Sequence, residues 1–408
     1  MTLLQASWVI TCDENNTIIK DGGVVFDKTI VDVGTIDYLK EKYPNIKSQQ
    51  TLKNTVLMPG LINPHVHLEF SANTTTLKYG NFNQWLNSVI EHREELIKKA
   101  TNELISKKLD MMLKDGTTTI GAISSYGFDL KPCVDSPINT VYFTEAIGSK
   151  ADMIDTLFTD FKSKHSEAMR YKSDNFIPAI AIHAPYSVHP FLIREILKIA
   201  KEQNCPVSAH FLESMAEKQW LNEHCGEFAP FFNNFLNQSK SLCEPIEFLQ
   251  QFKGIKNLSF THCVQAKDEE LKQIKNLKAS IIHCPVSNRL LTNDILDISK
   301  LDNINLAIGT DGLSSNISLN LFDEIKMALF MHTKQELNTL AQKLLYSATR
   351  GGAIALGLSN KGALIKGFDS DILEVKLIDK VENEEDLITQ LLIHKRKVTK
   401  TYIKGVKC

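Results

Sequence analysis

Six stretches of this chain carry side chains able to bind a metal or move a proton. His65-Val-His67 sets two imidazoles two residues apart. His183 closes the apolar run Ile177–Ile182, His210 closes Pro206–Ala209, and Glu213 follows three residues later. His262 ends Ser-Phe-Thr-His, and Asp311 follows Leu306–Thr310. Residues i and i+2 of a strand point the same way, so His65 and His67 can share one metal. Singly, each remaining residue reads equally well as a cap or a hydrogen-bonded core group. Together they form a pattern, in which polar residues recur where apolar runs stop. A catalytic zinc takes about three or more nitrogen or oxygen ligands and keeps a position for water, whose pKa falls to near 7. His65, His67, His210 and Asp311 would supply three imidazoles and a carboxylate. Glu213 is then placed to shuttle a proton, and His262 to orient the water or stabilise developing charge. Iron suits this donor set as well as zinc does.

Two other metal chemistries fit less well. His67-Leu-Glu69 matches the HxE half of a cytidine-type zinc deaminase signature, but the PCxxC half is missing: Pro132-Cys133 is followed by Ser136 where the second Cys belongs. A two-metal centre needs a bridging ligand, and the fourth apolar run ends in His183 with no lysine beside it. One metal per chain is the expectation.

For these groups to converge, the apolar runs must end on one face. From Leu61 onward, short runs alternate with helical-period segments. The candidate strands are Leu61–His67, Thr117–Ile123, Thr140–Glu145, Ile177–His183, Pro206–Phe211, Leu258–His262, Ala279–Cys284 and Leu306–Thr310. Amphipathic stretches such as Thr101–Lys114, Pro190–Gln203, Lys267–Leu277 and Leu321–Met331 lie between them. Repeated βα units of this kind predict a (β/α)8 TIM-like barrel, whose active sites sit at the C-terminal ends of the strands. An open doubly wound sheet is the competing arrangement, but no GxGxxG follows an early strand. Both ends of the chain read as β: Ser7–Cys12, Thr17–Ile19, Gly23–Phe26 and Thr29–Val33 at the start, with a short helix at Asp37–Tyr43, and Gly362–Leu364, Asp371–Lys376 and Lys400–Ile403 at the end, with a helix near Glu384–His394. The expected organisation is a barrel over residues 58–359 and a small β-sandwich built from residues 1–57 and 360–408. Asn233–Lys240 reads as loop.

The whole-chain numbers narrow the partners. Of 408 residues, 46 are Lys or Arg and 48 are Asp or Glu, a formal charge of -2. That balance gives no support to nucleic acid or an anionic membrane as partner. No run reaches the roughly 18 apolar residues of a membrane span, and the start of the chain lacks the features of a signal peptide. The eight cysteines are scattered without a CxxC pair, which points to reduced thiols and a cytoplasmic location.

The motifs and their order resemble the amidohydrolase superfamily. The likeness runs from Met58-Pro-Gly-Leu-Ile-Asn-Pro-His-Val-His-Leu through Ser208-Ala-His-Phe-Leu-Glu, Thr261-His-Cys and His283-Cys-Pro-Val-Ser-Asn-Arg-Leu to Gly309-Thr-Asp-Gly-Leu-Ser-Ser-Asn, and continues in Ala348-Thr-Arg-Gly-Gly-Ala and Ile365-Lys-Gly-Phe-Asp-Ser-Asp. Within it, the set is similar to the mononuclear branch of adenine-nucleoside deaminases. That resemblance implies metal ligands His65, His67, His210 and Asp311, Glu213 as proton shuttle, His262 as partner of the water or leaving amine, and His183 against the ribose. Phe82-Asn-Gln-Trp-Leu, His183-Ala-Pro-Tyr-Ser-Val and Thr310-Asp-Gly-Leu-Ser-Ser-Asn-Ile resemble the aminodeoxyfutalosine deaminases. The reaction implied is hydrolysis of 6-amino-6-deoxyfutalosine to futalosine and ammonia, in menaquinone synthesis. A homodimer is common in the resembling families.

Related deaminases carry an acidic residue beside the tryptophan of the Phe-x-x-Trp-Leu segment. Here Asn83 and Gln84 stand there, able to bond a ribose without charge. Trp85, within the segment 71–99, reads either as a cap over the purine or as helix core. Arg289, Ser314 and Asn316 are further candidates to reach substrate, while Ser287 and Asn288 read as helix caps. His283 reads as structural, and His332 as a bystander. Deamination of S-adenosylhomocysteine, methylthioadenosine or adenosine is the alternative, followed by hydrolysis of an amide or a chlorotriazine.

Overall fold

The computed structural model of this chain describes residues 1–72, 76–394 and 396–408. Eight strands form one parallel sheet in sequential order: Leu61–Val66, Thr117–Ser124, Asn139–Ala146, Phe176–Ile182, Val207–Phe211, Leu258–His262, Ser280–His283 and Leu306–Ile308. They run parallel because a helix-bearing connection separates each from the next. Every residue of the second and third strands is buried, as expected of strands covered on both faces.

The first and last strands close the barrel through side chains. Asn63 donates from Nδ2 to Thr310 Oγ1 at 2.7 Å and accepts from the Thr310 N–H at 3.2 Å. The Asp311 N–H then bonds the His65 carbonyl at 3.0 Å. Asn63, His65 and His67 share one strand parity, so the residue that seals the seam lies directly beneath the two imidazoles. Gly121, on the second strand, has no room for a side chain: a Cβ there would sit 2.2 Å from the Pro64 carbonyl oxygen.

Helices fall where the periodicity places them. Thr101 caps Asn102–Lys114, and Pro190 opens Pro190–Gln203, which ends on Asn204 in the left-handed region at φ 52°. The segment 71–99 contains the helix Phe82–Lys99, capped by Asn81, and its residues 73–75 lie outside the described residues.

Seven strands from the two ends of the chain make a second sheet. Ile372–Lys376 pairs with Ser48–Pro59, and Ser48–Pro59 with Thr2–Ile10. Alternation along Thr2–Ile10 and Ile18–Phe26 sends Leu4 and Val24 to one apolar cluster and Leu3 and Val25 to another, so both faces are covered. A buried ion-pair network ties this sheet to the barrel. Lys361 Nζ meets Asp369 and Asp371 at 2.7 Å each, and Asp371 also accepts from Asn139 Nδ2 on the third barrel strand.

Two sequence expectations fail. Gly362–Leu364 forms no strand: Gly362 turns at φ +80° and the segment makes one backbone bond, from Leu364 N to the Thr11 carbonyl. The expected loop at Asn233–Lys240 begins later, because the helix Phe228–Leu236 runs through Asn233 and Asn234. Their polarity reflects an exposed helix face, not an end of structure. Among the described residues, no helix is long and apolar enough to cross a membrane.

Candidate metal and proton-transfer site

The C-terminal ends of the barrel strands bring His65, His67, His183, His210, Glu213, His262 and Asp311 into one site. His65 and His210 lie on their strands, and His67 directly follows the first. The others depend on bends. Leu212 (φ 46°), His262 (φ 72°) and Asp311 (φ 61°) all adopt left-handed backbone that L-residues ordinarily avoid. On the sixth strand, Thr261 takes the inward position and bonds His65 Nδ1 at 3.2 Å. The turn at His262 then swings the next ring into the same space, 5.5 Å from the His210 ring.

Several ring nitrogens converge on one space. His67 Nε2 lies 3.3 Å from His210 Nε2. The His210 Nδ1 is 2.8 Å from the His183 carbonyl, which can only accept, so Nδ1 carries the proton and Nε2 a bare lone pair. His65 Nε2 is buried without a partner. Asp311 Oδ1 stands 3.7 Å from His67 Nε2 and 3.9 Å from His65 Nε2. Converging lone pairs and a carboxylate, all within 4.8 Å for His65, His67 and Asp311, are the donor set a divalent cation needs. Burial pushes the pKa of His65 well below its ordinary value and that of His210 to about 3, which keeps both rings as neutral ligands. Three further triads meet the same distance criterion: His65–His210–His262, Glu145–His183–His210 and Glu213–His262–Asp311.

The carboxylates divide by environment. Burial works against ionisation of Asp311. The His67 and His262 rings and the Ser287 hydroxyl outweigh it and hold its pKa below the usual range. Its Oδ2 accepts from Ser287 Oγ at 2.7 Å and Ser315 Oγ at 2.9 Å. Glu213 has no such donors. Burial, then the charges of Asp311 and Glu217, push its pKa well above the ordinary value, which favours its protonated form. His262 Nε2 sits between them, 3.6 Å from Glu213 Oε1 and 3.9 Å from Asp311 Oδ2. Their surroundings thus drive two neighbouring carboxyls toward opposite protonation states.

Buried carboxylates that the sequence reading missed hold the strand ends in place. Glu217 accepts the Leu212 and Glu213 N–H groups at 3.1 and 2.8 Å. Glu324 accepts the Val286 N–H at 3.1 Å and the Asn316 amide. Glu69, matched to a catalytic HxE motif by sequence, instead gathers the N–H groups of Ser125, Tyr126, Gly127 and Phe128. The signal for such residues is weak: an acidic residue just beyond an apolar run.

The expected substrate contacts fare unevenly. Trp85 donates from Nε1 to the Ser314 carbonyl at 2.8 Å and packs its ring against Phe82, which ties the 82–99 helix to the loop after the last strand. The His183 ring lies 5.1 Å from that of His210, its Nδ1 2.5 Å from Ser187 Oγ. Gln84 is exposed on the first helical turn. Asn316 spends its amide inside its own loop, on the Thr310 carbonyl, Glu324 and the Ile317 and Ser318 N–H groups. Arg289 reaches Asn293 on its own helix, at the surface. Ser287 and Asn288 are not caps: Ser287 bonds Asp311, and Asn288 bonds His262 and His283. Cys263 and Cys284 are fully buried thiols, their pKa values raised by burial.

Comparison with known proteins bears on the whole chain. The family model for the amidohydrolase family matches residues 56–408. An aminodeoxyfutalosine deaminase of a Nitratiruptor species is 45% identical over 389 residues, covering 95% of each chain. An adenosine deaminase of Helicobacter pylori is 35% identical over 410 residues, covering 99% of this chain and 98% of its own. The crystal structure of the Helicobacter pylori aminofutalosine deaminase in complex with methylthio-coformycin superposes with a TM-score of 0.94 at 34% identity, over 100% of both chains.

Proposed function

The chain belongs to the amidohydrolase family, and from that premise we propose that it is a hydrolytic deaminase of an adenine nucleoside, converting 6-amino-6-deoxyfutalosine and water to futalosine and ammonia. The observation that carries this reading is the placement of Glu213 and Asp311 on either side of His262 Nε2, 3.6 and 3.9 Å away, in environments that raise the pKa of the first and lower that of the second, at the edge of a cluster of ring nitrogens and a carboxylate suited to a metal. The relatives' activity narrows the substrate to an aminated purine.

His65, His67, His210 and Asp311 would hold one divalent metal. Once bound, it supplies Lewis acidity that makes water nucleophilic near neutral pH. Every other requirement falls on the chain's own side chains. Asp311 accepts the first proton of the water that attacks C6. Glu213 gives its proton to N1, so negative charge never builds up on the ring. The hydroxyl formed at C6 returns a proton to Glu213, and Asp311 passes its proton to the exocyclic amine. Ammonia leaves, and N1 keeps its hydrogen in the product. His262 Nε2, facing both carboxylates, holds the reacting oxygen between them. His183 and Trp85, with Ser314 at its side, would line the sugar and base; Asn316 has its amide occupied elsewhere and Gln84 lies outside that lining.

The reading includes zinc over iron, a homodimer and a cytoplasmic location, the last supported by eight unpaired thiols. The test is kcat/KM for aminodeoxyfutalosine, methylthioadenosine, S-adenosylhomocysteine and adenosine side by side. The highest value is expected for aminodeoxyfutalosine. A clear preference for adenosine would move the assignment to the other relative's activity and leave the chemistry intact, and no turnover of any of the four would overturn it.

A further inference from the structure

His283 and His332 take no part in the site described above, yet they are joined to it. From His262 a line of hydrogen bonds runs away from the reacting groups. His262 Nδ1 lies 2.8 Å from Asn288 Oδ1, Asn288 Nδ2 lies 3.2 Å from His283 Nδ1, and His283 Nε2 lies 3.2 Å from His332 Nε2. His262, Asn288 and His283 are buried, and His332 is half-buried at the end of the helix Leu321–Met331. Three elements supply the line: the sixth strand, the seventh strand with its following helix, and the helix Leu321–Met331.

We propose that Asn288, His283 and His332 form a string that fixes the tautomer of His262, and so act as positioning residues for its ring. Donor and acceptor parity couples the four groups. A neutral imidazole has one N–H and one bare nitrogen, and an amide has one acceptor oxygen and one donor nitrogen. With Asn288 Oδ1 toward His262, the His262 proton must be on Nδ1. Its Nε2 is then bare toward Glu213 and Asp311, able to accept a proton. Asn288 Nδ2 requires a bare Nδ1 on His283, so His283 carries its proton on Nε2 and gives it to a bare Nε2 on His332. Turning the amide over reverses all three rings at once and makes His262 Nε2 a donor only. Any mixed arrangement buries two facing donors or two facing lone pairs. The four groups therefore switch together, and the far end of the string selects the state of the near end. Burial lowers the pKa of His283, and that of His332 to about 4, which favours the neutral rings the string uses.

This inference rests on the role given to His262 in the proposed reaction, but its test does not depend on turnover alone. His283→Asn and His283→Leu create nearly the same cavity, and only Asn keeps an acceptor where Nδ1 was. In zinc-loaded protein with 15N-labelled histidine, ring-nitrogen shifts of His262 should report the Nδ1–H form in the wild type and in His283→Asn, and a mixture in His283→Leu. The kcat for adenine-nucleoside deamination should fall about tenfold or more in His283→Leu relative to His283→Asn, with KM and bound zinc unchanged. Identical ring shifts in the two variants, or equal losses of kcat, would overturn the proposal. If the buried Leu variant does not fold, His332→Gln and His332→Leu provide the same contrast at a half-buried position, since Gln keeps an acceptor in place of Nε2. If the wild type turns over no adenine nucleoside, the proposed function falls while the ring shifts still decide the string.

Discussion

Replacing Glu213 by Gln removes one proton donor and almost nothing else. The backbone N–H of Glu213 stays on Glu217 at 2.8 Å, and the side chain keeps its length and burial. What changes is the group 3.6 Å from His262 Nε2. In the wild type, burial and the neighbouring charges of Asp311 and Glu217 favour the protonated carboxyl, with a proton it can give and take back. An amide can donate a hydrogen bond but cannot complete the transfer. Positioned acid–base groups contribute about 10²–10⁴ in rate, so kcat should fall by that factor, a barrier increase of about 2.7–5.4 kcal/mol. KM should move little, because the bond is made in the transition state. The assay is the absorbance change of adenine to hypoxanthine, checked by ammonia release, with metal measured on the same sample. Turnover within a few-fold of wild type at full metal content refutes the proton-transfer role. Loss of the metal refutes the donor set proposed above, since it would draw Glu213 into the competing Glu213–His262–Asp311 cluster.

Four further outcomes follow from the geometry. Stripping divalent metal should abolish turnover and lower the thermal midpoint, and zinc should restore both; full activity of metal-free protein would refute the donor set. Trp85→Phe deletes the bond to the Ser314 carbonyl. A net bond of about 0.5–1.5 kcal/mol predicts a KM increase of up to roughly tenfold with kcat nearly constant, read in the same assay. Lys361→Met leaves the buried Asp371 and the half-buried Asp369 without their cation, a loss of about 3–5 kcal/mol visible in denaturant melts. Asp129, pushed up to about 8 by burial and then by Glu69, is protonated in the fold but ionises near 3.8 once unfolded. Between those values the unfolded chain releases a proton that the folded chain keeps, so stability drops as pH rises. Asp129→Asn should therefore gain stability relative to wild type from pH 4 to pH 8 and then level off. A difference that is flat across that window would refute the raised value.

What the sequence made legible follows from strand parity. His65, His67 and His210 lie on inward positions of apolar strands, so period-two reasoning reaches them directly. Asp311 and His262 were found at run ends, although the left-handed turns that aim them leave no mark in composition. Glu217 holds its turn locally, five residues from the Leu212 N–H, but other supporting groups have partners distant in sequence and leave no local signal. Glu324 bonds an N–H 38 residues away, and Thr261 a ring 196 residues away. Asn288 and Ser287 misled for a related reason: both types are common at helix N-termini, and at the start of Pro285–Thr292 only three-dimensional neighbours separate a cap from a ligand of a catalytic ring. Gly362–Leu364 reads as a strand from its apolar pair, but those residues are buried by packing, without a ladder.

The seam between the first and last barrel strands also sets an order in time. His65 and Asp311 are 246 positions apart (311 − 65) and meet only where Asn63 bonds Thr310. At about 5–20 residues per second, a ribosome delivers the carboxylate roughly 12–50 s after the first imidazole. Until then a nascent chain can present His65, His67 and His210 but not the carboxylate that completes the proposed set. The full four-ligand centre exists only on chains whose first and last strands have met, so a metal held by all four becomes a census of finished molecules.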